Sequence, residues 1–169
     1  MKTEEPVVSA SSQHMFFVHQ ACPTIVLITL TLVLQSAGMA VLIEWAKAHL
    51  PTALHRFGPW RSGVLMVRLT SLIVCLHMFE IVLWALFYRS YCFSHSESAF
   101  YFSATSYSTV GYGDLVLPQA WRLLGPMESI TGVLMCGLSV SFLFAVVPRL
   151  VESDEQAELV EVRSAGTRP

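Results

Sequence analysis

The chain has 169 residues, 54% of them hydrophobic and 13% charged, with a net charge of −2. A soluble domain carries about a quarter charged residues, and so large an apolar surplus cannot be hidden inside one small globule. Disorder is excluded, and so is nucleic-acid binding through a basic patch. The 4 cysteines include no C-x-x-C pair, which argues against a zinc site or a disulfide scaffold. With a mean hydropathy of +0.57, the expectation is an integral membrane protein.

In chain order, residues 1–22 form an extracytoplasmic leader. Lys2 faces Glu4 and Glu5, the wrong charge for the start of a signal peptide. Thr24 to Ile43 holds no charge over 20 residues, enough to cross a bilayer, and predicts a first transmembrane helix within 23–45. The small residues Ser36, Ala37, Gly38 and Ala40 would suit cleavage, but the apolar run is too long for a signal peptide. Lys47, Arg56 and Arg61 follow and place this loop in the cytoplasm, with the N-terminus outside. A second span, Ser62 to Tyr88 within 61–88, carries only Arg68, His77 and Glu80 as titratable or charged interruptions. Ser94 and Glu97 have capping-box spacing and predict a short helix over 95–108. Its apolar, aromatic part, Ala99 to Ser108, is too short to cross and reads as re-entrant. A third span, Leu123 to Val147 within 122–148, holds one charge, Glu128. Pro148 is expected to stop it. An acidic cytoplasmic tail, 149–169, follows. Arg149, Arg163 and Arg168 are outnumbered there by Glu152, Asp154, Glu155, Glu158 and Glu161. The result is a multi-pass protein of the cell membrane with its C-terminus inside.

Between the short helix and the third span runs Thr109-Val110-Gly111-Tyr112-Gly113-Asp114. Carbonyls in an ordinary strand point alternately to opposite sides. Glycine reaches positive φ at little cost, so Gly111 and Gly113 can turn their peptides toward one axis. In this motif and its setting the chain resembles the potassium-channel superfamily, of the small pore-loop type with a two-helix pore. It carries one extra N-terminal transmembrane helix. The resemblance covers Ser62 to Val147 and implies an all-α membrane protein: outer helix 61–88, pore helix 95–108, filter 109–114 and inner helix 122–148. One filter strand cannot encircle an ion, so it also implies a homotetramer, each chain partnered by three identical subunits and membrane lipid. The implied activity is passive, potassium-selective conduction, with K+ held at Thr109, Val110, Gly111 and Tyr112 by main-chain oxygens. No organic cofactor, catalytic residue, enzyme activity or nucleic-acid partner is expected. The alternatives are a nonselective cation channel or a membrane subunit that modifies another channel. An intramembrane enzyme built on His77 and Glu80 would lack a nucleophile motif and a second metal half-site.

Within this frame Thr109, Val110 and Tyr112 turn their side chains outward, and the Thr109 hydroxyl adds ligands at the inner end. Phe100, Tyr101, Phe102 and Tyr107 form a cuff behind the filter. Position 105 is Thr where some family members place a glutamate that pairs with the filter aspartate. Asp114 therefore lacks that partner, and Glu80 is the candidate substitute. Glu80 lies eight residues before Tyr88, about 12 Å along the helix and so at filter depth. It either braces the pore helix or filter from behind as a hydrogen-bonded neutral acid or ties neighbouring helices together. His77, one turn away, is expected to hydrogen-bond with Glu80, and a pH-sensing role stays open. Arg68 snorkels to the interface, and no arginine ladder suggests a voltage sensor. Gly132, and after it Gly137, is a candidate hinge or a close-packing site. Val133, Cys136, Val140 and Phe144 share a face suited to line the cavity, with Phe144 as a hydrophobic constriction. Cys75 and Cys136 read as small hydrophobes. Cys22 and Cys92 fall on the same side, which leaves a disulfide between them open. The gating stimulus is not legible, and an additional regulatory subunit is compatible with the chain.

Overall fold

The computed structural model describes residues 10–54 and 60–165, with side chains described at 20–46 and 63–145. Four α-helices follow one another: α1 (Ala10–Leu54), α2 (Trp60–Tyr91), α3 (Ser96–Tyr107) and α4 (Leu124–Ala165). A single 3-10 turn, Gln119–Trp121, precedes α4, and no strand occurs among the described residues. Three segments are long and apolar enough to cross a membrane: Gln20–Ala46, Gly63–Tyr91 and Gln119–Ala145. The 12 residues of α3 reach about 18 Å at helical rise, short of the roughly 30 Å of a hydrocarbon core. The architecture is all-α, three crossing helices with one short helix between the second and third.

The helices run further than the expected spans. α1 extends beyond 23–45 at both ends, and α2 begins at Trp60. α4 continues past Pro148 to Ala165, where a helix stop and a separate tail were expected. A proline removes its own N–H bond to the carbonyl four residues back, but the bonds of neighbouring turns survive. The capping box at Ser94 does not form either. α3 begins at Ser96 with His95 as its N-cap, and no side-chain bond caps it. Leader residues 1–9 lie outside the described residues. So do the side chains of Lys47, Arg56 and Arg61 and of the acidic segment after Pro148.

The contacts fall into two compact units. Among the described residues the first comprises 10–32 and 80–133. Leu27 of α1, Trp84 and Tyr88 of α2, Ala99 of α3, and Leu117 and Leu124 form its core. Aromatic edges lock it: Tyr88 and Phe102 meet at 5.1 Å and 88°, and Phe87 and Trp121 at 5.4 Å and 83°. Such edge-to-face pairs add about 0.5–1.5 kcal/mol each beyond burial. α1 is bonded into this core. The Trp84 indole donates to Thr31 Oγ1 at 3.0 Å, and the Leu123 N–H donates to Gln20 Oε1 at 3.2 Å. Gln20, Thr24, Leu27 and Thr31 are all buried. Their spacing of three and four residues is one helical face.

Among the described residues the second unit comprises 33–54, 60–79 and 134–165. Ala46 of α1 packs with Leu65 and Leu69 of α2 in its core. Gln35 Nε2 donates to the Met135 carbonyl at 3.3 Å and to Ser139 Oγ at 3.0 Å. Gly38 lets α1 approach α2 closely, since a Cβ there would fall 2.6 Å from both Leu76 Cδ atoms. Small residues and interhelical amide bonds are the usual means of helix association where lipid is as apolar as leucine.

Candidate functional site

The segment after α3 has an unusual backbone. Thr109, Gly111 and Gly113 take φ of 62°, 50° and 77°, and Thr109 is the one non-glycine residue with positive φ among the described residues. Left-handed geometry is cheap for glycine but costs a residue with a Cβ roughly 1–2 kcal/mol. The sequence argues for Gly111 and Gly113 in this conformation. Thr109 escapes it because a β-branched residue is the least expected there, although the every-second-residue period of the glycines points back to it. The bend is fixed by the end of α3. The Ser108 N–H donates to the Ala104 carbonyl at 3.1 Å, the Thr109 N–H to Ser106 at 2.9 Å and the Gly111 N–H to Thr105 at 3.0 Å. Terminal helix carbonyls that would otherwise lack donors are thereby satisfied by the segment itself. Val110 and Tyr112 stand out from the chain, 52% and 71% exposed.

Side chains from α2 and α4 hold α3 in place. Tyr107 donates to the buried carboxyl of Glu80. Ser129 Oγ of α4 donates to the Ser106 carbonyl at 2.7 Å. Ser103 meets Glu128 Oε1 at 2.5 Å and the Ile81 carbonyl at 2.9 Å, and Tyr88 donates to Glu128 Oε2 at 2.8 Å. Gly132 lies directly under the end of α3, where a Cβ would sit 2.2 Å from the Tyr107 carbonyl oxygen. Glu128 has no assigned role in the sequence reading. As the single charge of its span, it carried the available signal, since an intramembrane carboxylate needs protein partners.

Asp114 finds its partner within the same stretch. Tyr101 donates to Asp114 Oδ2 at 2.9 Å, and the Leu115 N–H donates to Oδ1 at 3.0 Å. Glu80 therefore does not take the place of the missing glutamate at Asp114; Tyr101 does, while Glu80 meets Tyr107. Thr105 turns its hydroxyl back to the Phe102 carbonyl at 3.0 Å. Tyr112 stacks on Tyr101 at 6.4 Å and 14°. The Asp114 carboxylate raises the Tyr101 hydroxyl above its ordinary value, so Tyr101 remains the donor. An open groove of about 550 Å³ runs beside the segment, lined by Thr105, Thr109, Gly111, Leu117, Gly125 and Ser129 among others.

Other candidate positions are more dispersed. His77 Nε2 meets Ser139 Oγ at 3.1 Å, and Arg68 is exposed. Gly137 has nothing within 4 Å of a Cβ placed on it. Val133, Cys136, Val140 and Phe144 are exposed, Phe144 most of all at 74%. Cys75 is also exposed. Cys22 and Cys92 are both free thiols, so the disulfide left open by the sequence is not formed. Burial pushes the Cys92 thiol up to about 11, which leaves it little of the reactive thiolate.

A short helix, a bent segment after it and two flanking helices thus occupy one stretch of chain. Residues 72–148 match the model of a family described as ion channel. This stretch, with the apolar helix ahead of it, fits a small pore-loop ion channel. α1 is an additional apolar helix ahead of it, and the channel is a multi-pass membrane protein. No curated protein and no solved structure matches the chain.

Proposed function

We propose that the channel conducts potassium passively, as one of four identical subunits around a shared axis. Thr109, Val110, Gly111, Tyr112 and Gly113 form the filter, and K+ is the permeant ion at Thr109, Val110, Gly111 and Tyr112. The observation that carries this reading is the alternation of positive φ at 109, 111 and 113. Reversing every second residue cancels the alternation of a normal strand and turns successive carbonyls to one side. Main-chain oxygens can then replace a potassium ion's water without a fixed charge that would trap it. The Thr109 hydroxyl extends the ligand set at the inner end. The C-terminal end of α3 directs its negative dipole toward the cavity and favours a cation there.

One such strand contributes a quarter of each ring, which calls for closed fourfold symmetry. Val133, Cys136, Val140 and Phe144 are assigned to a cavity lining; of the two hinge candidates Gly132 is packed against Tyr107, whereas Gly137 has nothing within 4 Å of a Cβ placed on it. Lys47 near the end of α1, Arg56 after it and Arg61 at the start of α2 argue by their excess of positive charge for a cytoplasmic position of this end of the two helices, with the N-terminus outside and the C-terminus inside. Transport down a gradient needs no catalytic residue, and the protein is not an enzyme. The decisive experiment is ion flux into proteoliposomes. A potassium gradient should drive a flux that barium blocks, while sodium in its place gives little. Equal sodium and potassium fluxes would replace this reading with a nonselective cation channel, and no flux at all with a channel-modifying subunit.

A further inference from the structure

Glu128 is fully buried within the membrane-crossing segment Gln119–Ala145. Its two oxygens meet two hydroxyls. Tyr88 Oη lies 2.8 Å from Oε2, and Ser103 Oγ lies 2.5 Å from Oε1. Ser103 and Tyr88 are fully buried as well, and Ser103 Oγ is also 2.9 Å from the Ile81 carbonyl oxygen. None of these contacts brings a cation to the carboxyl. Glu128 is the fifth residue of α4, beyond the first turn in which a helix N-terminus favours negative charge.

The protons of this cluster can be counted. The Tyr88 hydroxyl has a carboxyl oxygen as its acceptor and donates to Oε2. A serine hydroxyl has one proton, and a backbone carbonyl can only accept. If Ser103 donates to Ile81, it has nothing left for Oε1, and the 2.5 Å contact requires a proton on the carboxyl. If Ser103 donates to an ionised carboxylate instead, its oxygen faces the Ile81 oxygen at 2.9 Å with no proton between them. That second arrangement also buries a negative charge that has two hydroxyl donors but no cation to pair with, a costly form of burial. Only the neutral acid makes all three contacts hydrogen bonds.

We infer that Glu128 is a neutral carboxylic acid and a positioning residue of the pore, the middle link of a directed chain from Tyr88 through Glu128 and Ser103 to the Ile81 carbonyl. Tyr88 donates to Oε2, Oε1 donates to Ser103, and Ser103 donates to the backbone of α2. The chain fastens α3 to both α2 and α4. One helical turn further along α3, Tyr107 meets Glu80, so the short helix that carries the filter is held at two successive turns.

The infrared spectrum of the purified protein in lipid at neutral pH tests the proton directly. The difference between wild type and Glu128→Gln should contain the C=O stretch of one protonated carboxyl. A difference showing only carboxylate bands would overturn the assignment, and Glu80→Gln serves as the control for the other buried acid. Conduction tests the positioning and rests on the channel reading above, whereas the infrared result stands without it. Glutamine offers an N–H to Ser103 and a C=O to Tyr88, so Glu128→Gln should conduct much as wild type. Glu128→Leu strands both hydroxyls and should lower potassium flux at least about tenfold. Glutamine as damaging as leucine, or leucine without effect, would sink the positioning role. Failure of Glu128→Leu to fold would leave the glutamine comparison and the infrared band to decide it.

Discussion

At the scale of single residues the site depends on a few atoms in unusual places. Tyr101 is the most direct case, because its hydroxyl is the side-chain donor to Asp114. Tyr101→Phe keeps the ring stacked on Tyr112 and deletes that bond alone. The expected result is normal expression and assembly with reduced steady-state potassium current and a lower potassium-to-sodium permeability ratio, read by bi-ionic reversal potentials. An unchanged ratio would show that Asp114 is held well enough by the Leu115 N–H. The two glycines of α4 make a matched pair. A methyl at 132 meets the Tyr107 carbonyl, whereas a methyl at 137 meets nothing. Overpacking typically costs about 1–3 kcal/mol, and a backbone oxygen cannot swing aside as a side chain can. Gly132→Ala should therefore lower the melting temperature in detergent, while Gly137→Ala leaves it unchanged or raises it. A current lost in Gly137→Ala at unchanged stability would mark bending at 137.

At the scale of elements the additional helix α1 is bonded to the pore region as well as preceding it. The buried Trp84 indole has Thr31 as its acceptor. Thr31→Val preserves shape and leaves that N–H stranded, at a cost of about 1–3 kcal/mol. Thr31→Ser keeps the acceptor. The valine variant should melt lower than wild type in detergent, with the serine variant close to wild type; equal melting of the two would mean that α1 is held by packing alone. The elements differ in how plainly they can be read. Three crossing helices and a short fourth follow from the length of apolar runs against the thickness of a bilayer, and the filter segment from glycines spaced by one residue. The helix ends do not follow, because Pro148 removes one N–H bond and the helix continues to Ala165. Nor could spacing pair Tyr88 with Glu128, 40 residues apart, or choose Tyr101 over Glu80 for Asp114. Those choices depend on which helix faces meet, and hydroxyls and carboxyls carry no periodic signature of their partners.

At the scale of the whole molecule the proposed filter segment stands largely open in the single chain. Val110 and Tyr112 are exposed, and an open groove of about 550 Å³ runs beside residues 109–113. Protein interiors are close-packed, so in the proposed tetramer neighbouring copies must supply the missing contacts. Native mass spectrometry should give four times the 18.8 kDa chain mass, and a dimer would refute fourfold closure. Potassium itself should stabilise that assembly. In the proposed tetramer each ion in the filter would be coordinated by four chains at once, a site absent from the separated subunits. A ligand bound only by the assembled state stabilises it by mass action, by about 2.7 kcal/mol at a hundred times its dissociation constant. The tetramer should therefore dissociate at a higher temperature in potassium chloride than in sodium chloride of equal ionic strength. Thr109→Ala, which removes a hydroxyl ligand and leaves the main-chain rings, should narrow that difference without abolishing it. Identical dissociation temperatures in the two salts would mean that the assembled filter does not prefer potassium, whatever its backbone suggests.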